Sequence, residues 1–235
     1  ALPILELAWY QREIEIPAAW KGKRIFLYFE RTHWLSSVYV GKEEVSKIDY
    51  ISIPHNHELT QWLHPGKKEL ITFCIDNRYQ YDTHKWDHAH SEFTQINWNG
   101  VLGEIKLVAV DPVYVDDMQV YPDIKNKSIK VKMTVRNCTE HTASGKISFH
   151  VTGKDYRLQK EVPVTVTDSI TYIEEEMFLG KDIHLWNEFH PNLYTLDCKL
   201  TSSVEGQSYA HEKSTTFGMR EVEAGEDHII LNGEP

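Results

Sequence analysis

The residues with the most chemistry to offer lie in one stretch, Asn77-Arg78-Tyr79-Gln80-Tyr81-Asp82-Thr83-His84-Lys85-Trp86-Asp87-His88-Ala89-His90, continuing to Asn97-Trp98-Asn99. A loop of this length inside a compact domain is uncommon and usually functional. Flat aromatic rings present faces to the C–H groups of a sugar ring, while Asp, Asn and Arg supply paired hydrogen bonds to vicinal hydroxyls. On that chemistry Asp82, Trp86, Asp87, Asn97 and Trp98 are candidates for holding a carbohydrate. The same stretch admits two other readings. His84, His88 and His90, with Asp82 or Asp87, have the types and spacing of metal ligands, although a metal site also needs convergent geometry. Alternatively the aromatics are the core of an interface with another domain. His55-Asn56-His57 and His64 read more simply as turn and surface residues.

The acidic runs offer less. Glu174-Glu175-Glu176 lies in an alternating stretch and reads as a solvated strand face. No run places two carboxylates so that they would face each other across a pocket, and no catalytic residue is assigned within the chain. Trp9 and Trp20 flank strands and read as core or edge packing, while Trp34, in a loop, is undecided. Arg12, beside Tyr10, reads as a surface ion-pair partner.

The elements that must position these residues are strands. Glu13-Ile14-Glu15-Ile16 alternates and ends at Pro17, and Ile25, Leu27 and Phe29 fall on one face of the next segment. A turn at His64-Pro65-Gly66 feeds Leu70 to Ile75, and Gly103 to Val110 closes the first half. Asp111-Pro112 is a natural boundary, because Pro cannot sit inside a central strand. Alternation resumes after it, with about seven strands over roughly 110 residues, the pattern of an immunoglobulin-like sandwich. The expected fold class is therefore all-β: a jelly-roll sandwich over residues 1–110, then an immunoglobulin-like sandwich over 111–222. Residues 223–235 read as a linker ending in Ile229-Ile230-Leu231-Asn232-Gly233, a strand entering an Asn-Gly turn whose return strand lies outside the chain.

Bulk properties narrow the classes. The chain has 235 residues, 41% hydrophobic and 26% charged, which is globular composition. A net charge of -10 without a basic stripe excludes a nucleic-acid backbone as partner. No apolar run approaches the ~20 residues of a membrane span. Three cysteines are too few for a disulfide scaffold. A Cys138–Cys198 bridge is conceivable, but all three read as buried small apolar side chains.

Ordered segments then show a family resemblance. Trp9-Tyr10-x-Arg12-x-Ile14-x-Ile16-Pro17, followed by Trp20-Lys21-Gly22-Lys23-Arg24-Ile25-x-Leu27-x-Phe29-Glu30, resembles the N-terminal sugar-binding jelly roll of family 2 glycoside hydrolases. These are the relatives of β-galactosidase, β-glucuronidase and β-mannosidase. Gly66-x-x-x-Leu70, Ile75-Asp76-Asn77 and Asn99-Gly100-Val101-Leu102-Gly103 match later strands of that domain. Leu185-Trp186, with Pro191-Asn192-Leu193-Tyr194-Thr195-Leu196, resembles its immunoglobulin-like domain, and Phe217-Gly218-Met219-Arg220-Glu221 the exit strand. Two positions depart from the pattern: Val38-Tyr39-Val40-Gly41 lacks an Asn before its Gly, and Leu102-Gly103 replaces an aromatic-Arg pair.

The resemblance implies a parent that hydrolyses terminal glycosidic bonds with retention, using two carboxylates about 5 Å apart on a (β/α)8 barrel. That pair would lie beyond Pro235, at a barrel entered through Leu231-Asn232-Gly233, and this chain by itself would be inert. Asn187-Glu188 reproduces the family's acid/base dipeptide in the wrong context, so Glu188 is a decoy. The Asn77 to Asn99 loop would lend Asp82, Trp86, Asp87, Asn97 and Trp98 to the rim around the terminal sugar. The implied partners are a carbohydrate substrate and the barrel, with self-association through apolar surface meant for the barrel. No cofactor is implied, and the kind of substrate points to the periplasm or the exterior. The rival reading is a free-standing carbohydrate-binding module with a spacer sandwich.

Overall fold

A computed structural model of the chain describes residues 7–51, 53–78 and 98–234. Strands dominate, and the chain divides into two compact units, Ala1–Val110 and Asp111–Pro235. The first unit contains β1 (Leu7–Glu15), a 3-10 turn at Ala18–Trp20, β2 (Arg24–His33), β3 (Leu35–Val40), β4 (Glu43–Asp49), β5 (His55–Glu58), β6 (Lys68–Asp76) and β7 (Gly100–Val110). They form two antiparallel sheets, in the orders β1-β6-β3-β4 and β5-β2-β7. This is the jelly-roll sandwich. Its core is built from Ile25, Leu27 and Phe29 of β2 against Val38, Ile71, Phe73 and Ile75 of the facing sheet. The period of two that put Ile25, Leu27 and Phe29 on one face is what buries them.

The second unit contains β8 (Val113–Asp123), β9 (Ser128–Asn137), β10 (Ala143–Thr152), β11 (Arg157–Val166), β12 (Ile170–Phe178), β13 (Tyr194–Val204) and β14 (Gln207–Phe217). Sheets ordered β12-β9-β8 and β11-β10-β13-β14 give the three-plus-four arrangement of an immunoglobulin-like sandwich. Strand β13 shows why: Tyr194, Leu196, Cys198, Leu200, Ser202 and Val204 are buried, while the residues between them face outward. At its start the Tyr194 hydroxyl accepts a 2.7 Å hydrogen bond from the His184 amide, fixing the corner that leads into the strand. Gly145 is required by close approach, since a Cβ there would collide with the Thr201 carbonyl on the neighbouring strand.

A short hairpin, β15 (Val222–Ala224) with β16 (Ile229–Leu231), follows. The expected strand into an Asn-Gly turn is present: Asn232 and Gly233 both have positive φ, and Leu231 and Glu234 exchange backbone hydrogen bonds across the turn. What differs is the partner, because β16 pairs backward with β15.

Three single-residue readings, those of His55, His57 and Cys138, are corrected. His55 and His57 are not turn residues: the alternation His-Asn-His-Glu in β5 turns both imidazoles inward, where they are fully buried. Hydroxyl partners on β3 and β4 make that burial tolerable. Of the two alternatives for Trp9, core or edge, the edge holds: it lies on the outer face of edge strand β1, 56% exposed, with its ring 5.7 Å from that of Tyr39. Cys138 is exposed just after β9, whereas Cys74 and Cys198 are buried, and none of the three is in a disulfide. Burial pushes the Cys198 thiol up to about 12, so it behaves as an apolar side chain. Trp34, undecided from sequence, is buried between β2 and β3. Among the described residues no helix is long and apolar enough to cross a membrane.

Candidate functional site

The chemistry-rich stretch leaves and rejoins the first sandwich at one place, the end of β6 and the start of β7. These strands belong to different sheets, so the chain between Asn77 and Asn99 passes from one sheet to the other. Both of its roots are fixed. At the first, Asp76 is buried and receives the Arg78 guanidinium through two hydrogen bonds, Nε at 2.9 Å and Nη2 at 2.7 Å. The Arg78 amide also donates to Asp76 Oδ1 at 3.0 Å, so the side chain sets the turn as well as the charge balance. The carboxylate in turn raises the guanidinium pKa above its usual range.

At the second root the Trp98 carbonyl accepts two hydrogen bonds, from Asn77 Nδ2 and from His33 Nδ1, each at 3.0 Å. Asn77 is fully buried and His33 nearly so, so these are bonds with little competition from water. Asn99 Nδ2 reaches Asn77 Oδ1 at 3.3 Å, which links the two roots directly. His33 ends β2, and its ring lies 5.0 Å from the Trp98 indole and 6.3 Å from that of Trp34. Gly100, at φ +105°, opens β7; a side chain there would collide with the Tyr10 hydroxyl.

Of the predicted sugar-binding residues, Trp98 stands at this clamp, half-buried. Asp82, Trp86, Asp87 and Asn97 lie outside the described residues, as do His84, His88 and His90 of the metal reading. Among the described residues no group of three or more His, Cys, Asp or Glu side chains could hold a metal. The polar residues at the roots are engaged with the loop's own backbone or with one another. Their arrangement positions a segment and contains no nucleophile with an adjacent base. Sequence reading missed His33, which is 44 residues from Asn77 and carries no local signal, and it also missed the Asp76–Arg78 ion pair that sets the first root.

The acidic residues of the second sandwich do no better as acid/base groups. Glu188 is exposed in a bend after Trp186, where Asn187 Oδ1 accepts from the Phe189 and His190 amides in a side-chain-capped turn. In β12, Glu174 and Glu176 are exposed and Glu174 pairs with Lys132, a solvated face as expected. A cavity of about 400 Å3 on the face of β10, β13 and β14 is lined by His150, Asp197, Lys199 and Glu212. Lys199 bonds Glu212 at 2.7 Å and holds its carboxyl below the usual range, the opposite of what a general acid needs.

Comparisons with known proteins bear on both units. Residues 113–220 match the family model described as glycosyl hydrolases family 2. The chain is 23% identical over 232 residues to a β-galactosidase of Thermoanaerobacter pseudethanolicus, covering 97% of this chain and 30% of that protein. It is 22% identical to the β-glucuronidase of Sus scrofa, covering 97% of this chain and 37% of that one. Its fold matches that of Bacteroides uniformis β-glucuronidase 2, solved covalently bound to cyclophellitol-6-carboxylate aziridine, with a TM-score of 0.78 at 17% identity. That match covers 97% of this chain and 28% of the other. The chain spans about a third of the length of the curated relatives it matches. Its second sandwich thus matches the model of the glycosyl hydrolases of family 2, and its two sandwiches together are similar in sequence and fold to parts of β-galactosidases and β-glucuronidases.

Proposed function

We propose that this chain is the non-catalytic part of a retaining glycosidase that removes terminal sugars, with a β-galactoside or a β-glucuronide as the substrate class. The observation that carries the reading is one of coverage: three glycosidases match 96% to 97% of this chain, while the chain matches only 30% to 38% of them. The two carboxylates that retention requires are then supplied by the remainder of the parent, and the 235 residues alone turn over no substrate. The first sandwich shapes the rim of the substrate pocket through the loop clamped at Asn77 and Trp98, with Asp82, Trp86, Asp87, Asn97 and Trp98 as its sugar-facing residues. The second sandwich packs beside the barrel. Phe189 at 81% exposure and Leu193 at 54%, near the half-exposed Leu185, support that role, since such apolar side chains are those a neighbouring domain covers.

The test uses the full-length parent. Trp98→Ala and Asp82→Ala are each expected to raise KM for an aryl glycoside by about ten-fold, the pattern of lost ground-state binding, with kcat within about two-fold. An unchanged KM in both variants would remove the loop from the substrate pocket.

A further inference from the structure

Inside the first sandwich lies a polar chain that the loop clamp does not use. His55 and His57 on β5 and Ser36 on β3 are all fully buried. The Ser36 hydroxyl lies 2.6 Å from His55 Nδ1 and 2.8 Å from His57 Nε2. His57 Nδ1 is 2.8 Å from the Ser46 hydroxyl on β4, and His55 Nε2 is 2.9 Å from the Tyr50 carbonyl. A carbonyl only accepts, so His55 carries its proton on Nε2 and accepts at Nδ1. Ser36 therefore donates to His55 and accepts from His57 Nε2–H, and Ser46 donates to His57 Nδ1. With both rings neutral, every proton has one place. The Thr32 hydroxyl of β2 lies against the His55 ring at 3.0 Å.

An added proton disturbs this order unequally. On His57 Nδ1 it can be met if Ser46 turns its hydroxyl to accept. On His55 Nδ1 it evicts the Ser36 hydroxyl proton from its acceptor, leaving the Ser36 and Thr32 oxygens, 2.6 and 3.0 Å away, to take the new N–H while Ser36 still accepts from His57. The surroundings compensate little. From β4, Asp49 is the one carboxylate acting on His55 among the described residues, and each imidazole faces the other, with ring centroids 6.1 Å apart. From β2 and β3 come Phe29, Thr32 and Ser36, none of them charged. Arg24 of β2 and Glu58 of β5 are paired with each other.

The position of the chain gives it mechanical importance. Strand β5 has only four residues and is hydrogen-bonded in its sheet to β2 alone, whereas Ser36 and Ser46 belong to the opposite sheet. We propose that the His55–Ser36–His57–Ser46 chain is an acid-operated latch: it ties edge strand β5 across the sandwich while both imidazoles are neutral and releases it when they take up protons.

The sign follows from burial, which lowers the pKa of both rings, that of His57 to about 3. An unfolded histidine titrates near about 6.5. The contribution of His57 is therefore complete above that pH and is lost as pH falls toward 3, by up to about ten-fold in the folding equilibrium per pH unit, and His55 adds to the loss in the same direction.

The experiment is an imidazole nitrogen NMR titration of the 235-residue chain from pH 7.5 to 4, with denaturant unfolding at each pH. The latch predicts that His57 is still neutral and protonated on Nε2 at pH 5. It also predicts that His57→Gln flattens the acid loss of stability by about ten-fold per pH unit, and that β5 amides lose exchange protection before those of β13. Ordinary titration of His57 in the folded chain would overturn it, as would a His57→Gln variant as acid-labile as its parent. If that variant does not fold, the titration of the unaltered chain decides.

Discussion

The backbone carbonyl of Trp98 is the acceptor on which the candidate loop's second root turns, because Asn77 and His33 both donate to it. Asn77→Ala leaves that carbonyl with one donor and removes the link to Asn99. The expected cost is about 1–3 kcal/mol of unfolding free energy, read from urea denaturation, together with altered tryptophan fluorescence. A cost below a few tenths would mean the roots are not clamped by this residue. At this scale the sequence was only partly legible. Trp98 was chosen for its indole, whereas the role visible in the structure belongs to its main chain, which no residue-type argument reaches. His55 and His57 were misread for a related reason: their hydroxyl partners Ser36 and Ser46 lie 11 to 21 residues away, so nothing local distinguishes a satisfied buried imidazole from a surface one.

Strands were more legible than sites because the period of two is imposed by burial itself. β13 alternates along its whole length against a core that includes Ile147, Phe149 and Met133. The same logic fails for β15, whose Val222-Glu223-Ala224 is exposed at all three positions and leaves no pattern to find. The Asn-Gly turn was therefore readable while the strand that β16 pairs with was not. Asn232 ties that hairpin back: its Oδ1 accepts from the Glu221 amide at 3.0 Å and its Nδ2 donates to the Trp186 carbonyl at 2.9 Å. It also sits at φ +56°, a conformation that Asn tolerates better than Ala. Asn232→Ala is expected to lower the hairpin's local stability by about 1–2 kcal/mol, giving roughly ten-fold or faster amide exchange at Leu231 and Glu234. Unchanged exchange there would show that the hairpin is held by something other than this side chain.

For the molecule as a whole, the pairing of a jelly roll with an immunoglobulin-like sandwich, in that order, is what ties composition, strand pattern and family together. The acidic runs that could have suggested acid/base chemistry do not supply it: Glu188 is exposed in a bend and Glu174 is exposed and paired with Lys132. Under the proposed function this chain holds and shapes, and bond cleavage falls to the remainder of its parent. The most direct measurement is hydrolysis of chromogenic aryl β-galactoside and β-glucuronide by two samples, the isolated 235-residue chain and the product its native host makes. The account predicts no turnover above buffer for the isolated chain, and hydrolysis with retention of configuration by a native product several hundred residues longer. Turnover by the isolated chain, or a native product that ends at Pro235 and cleaves nothing, would contradict it.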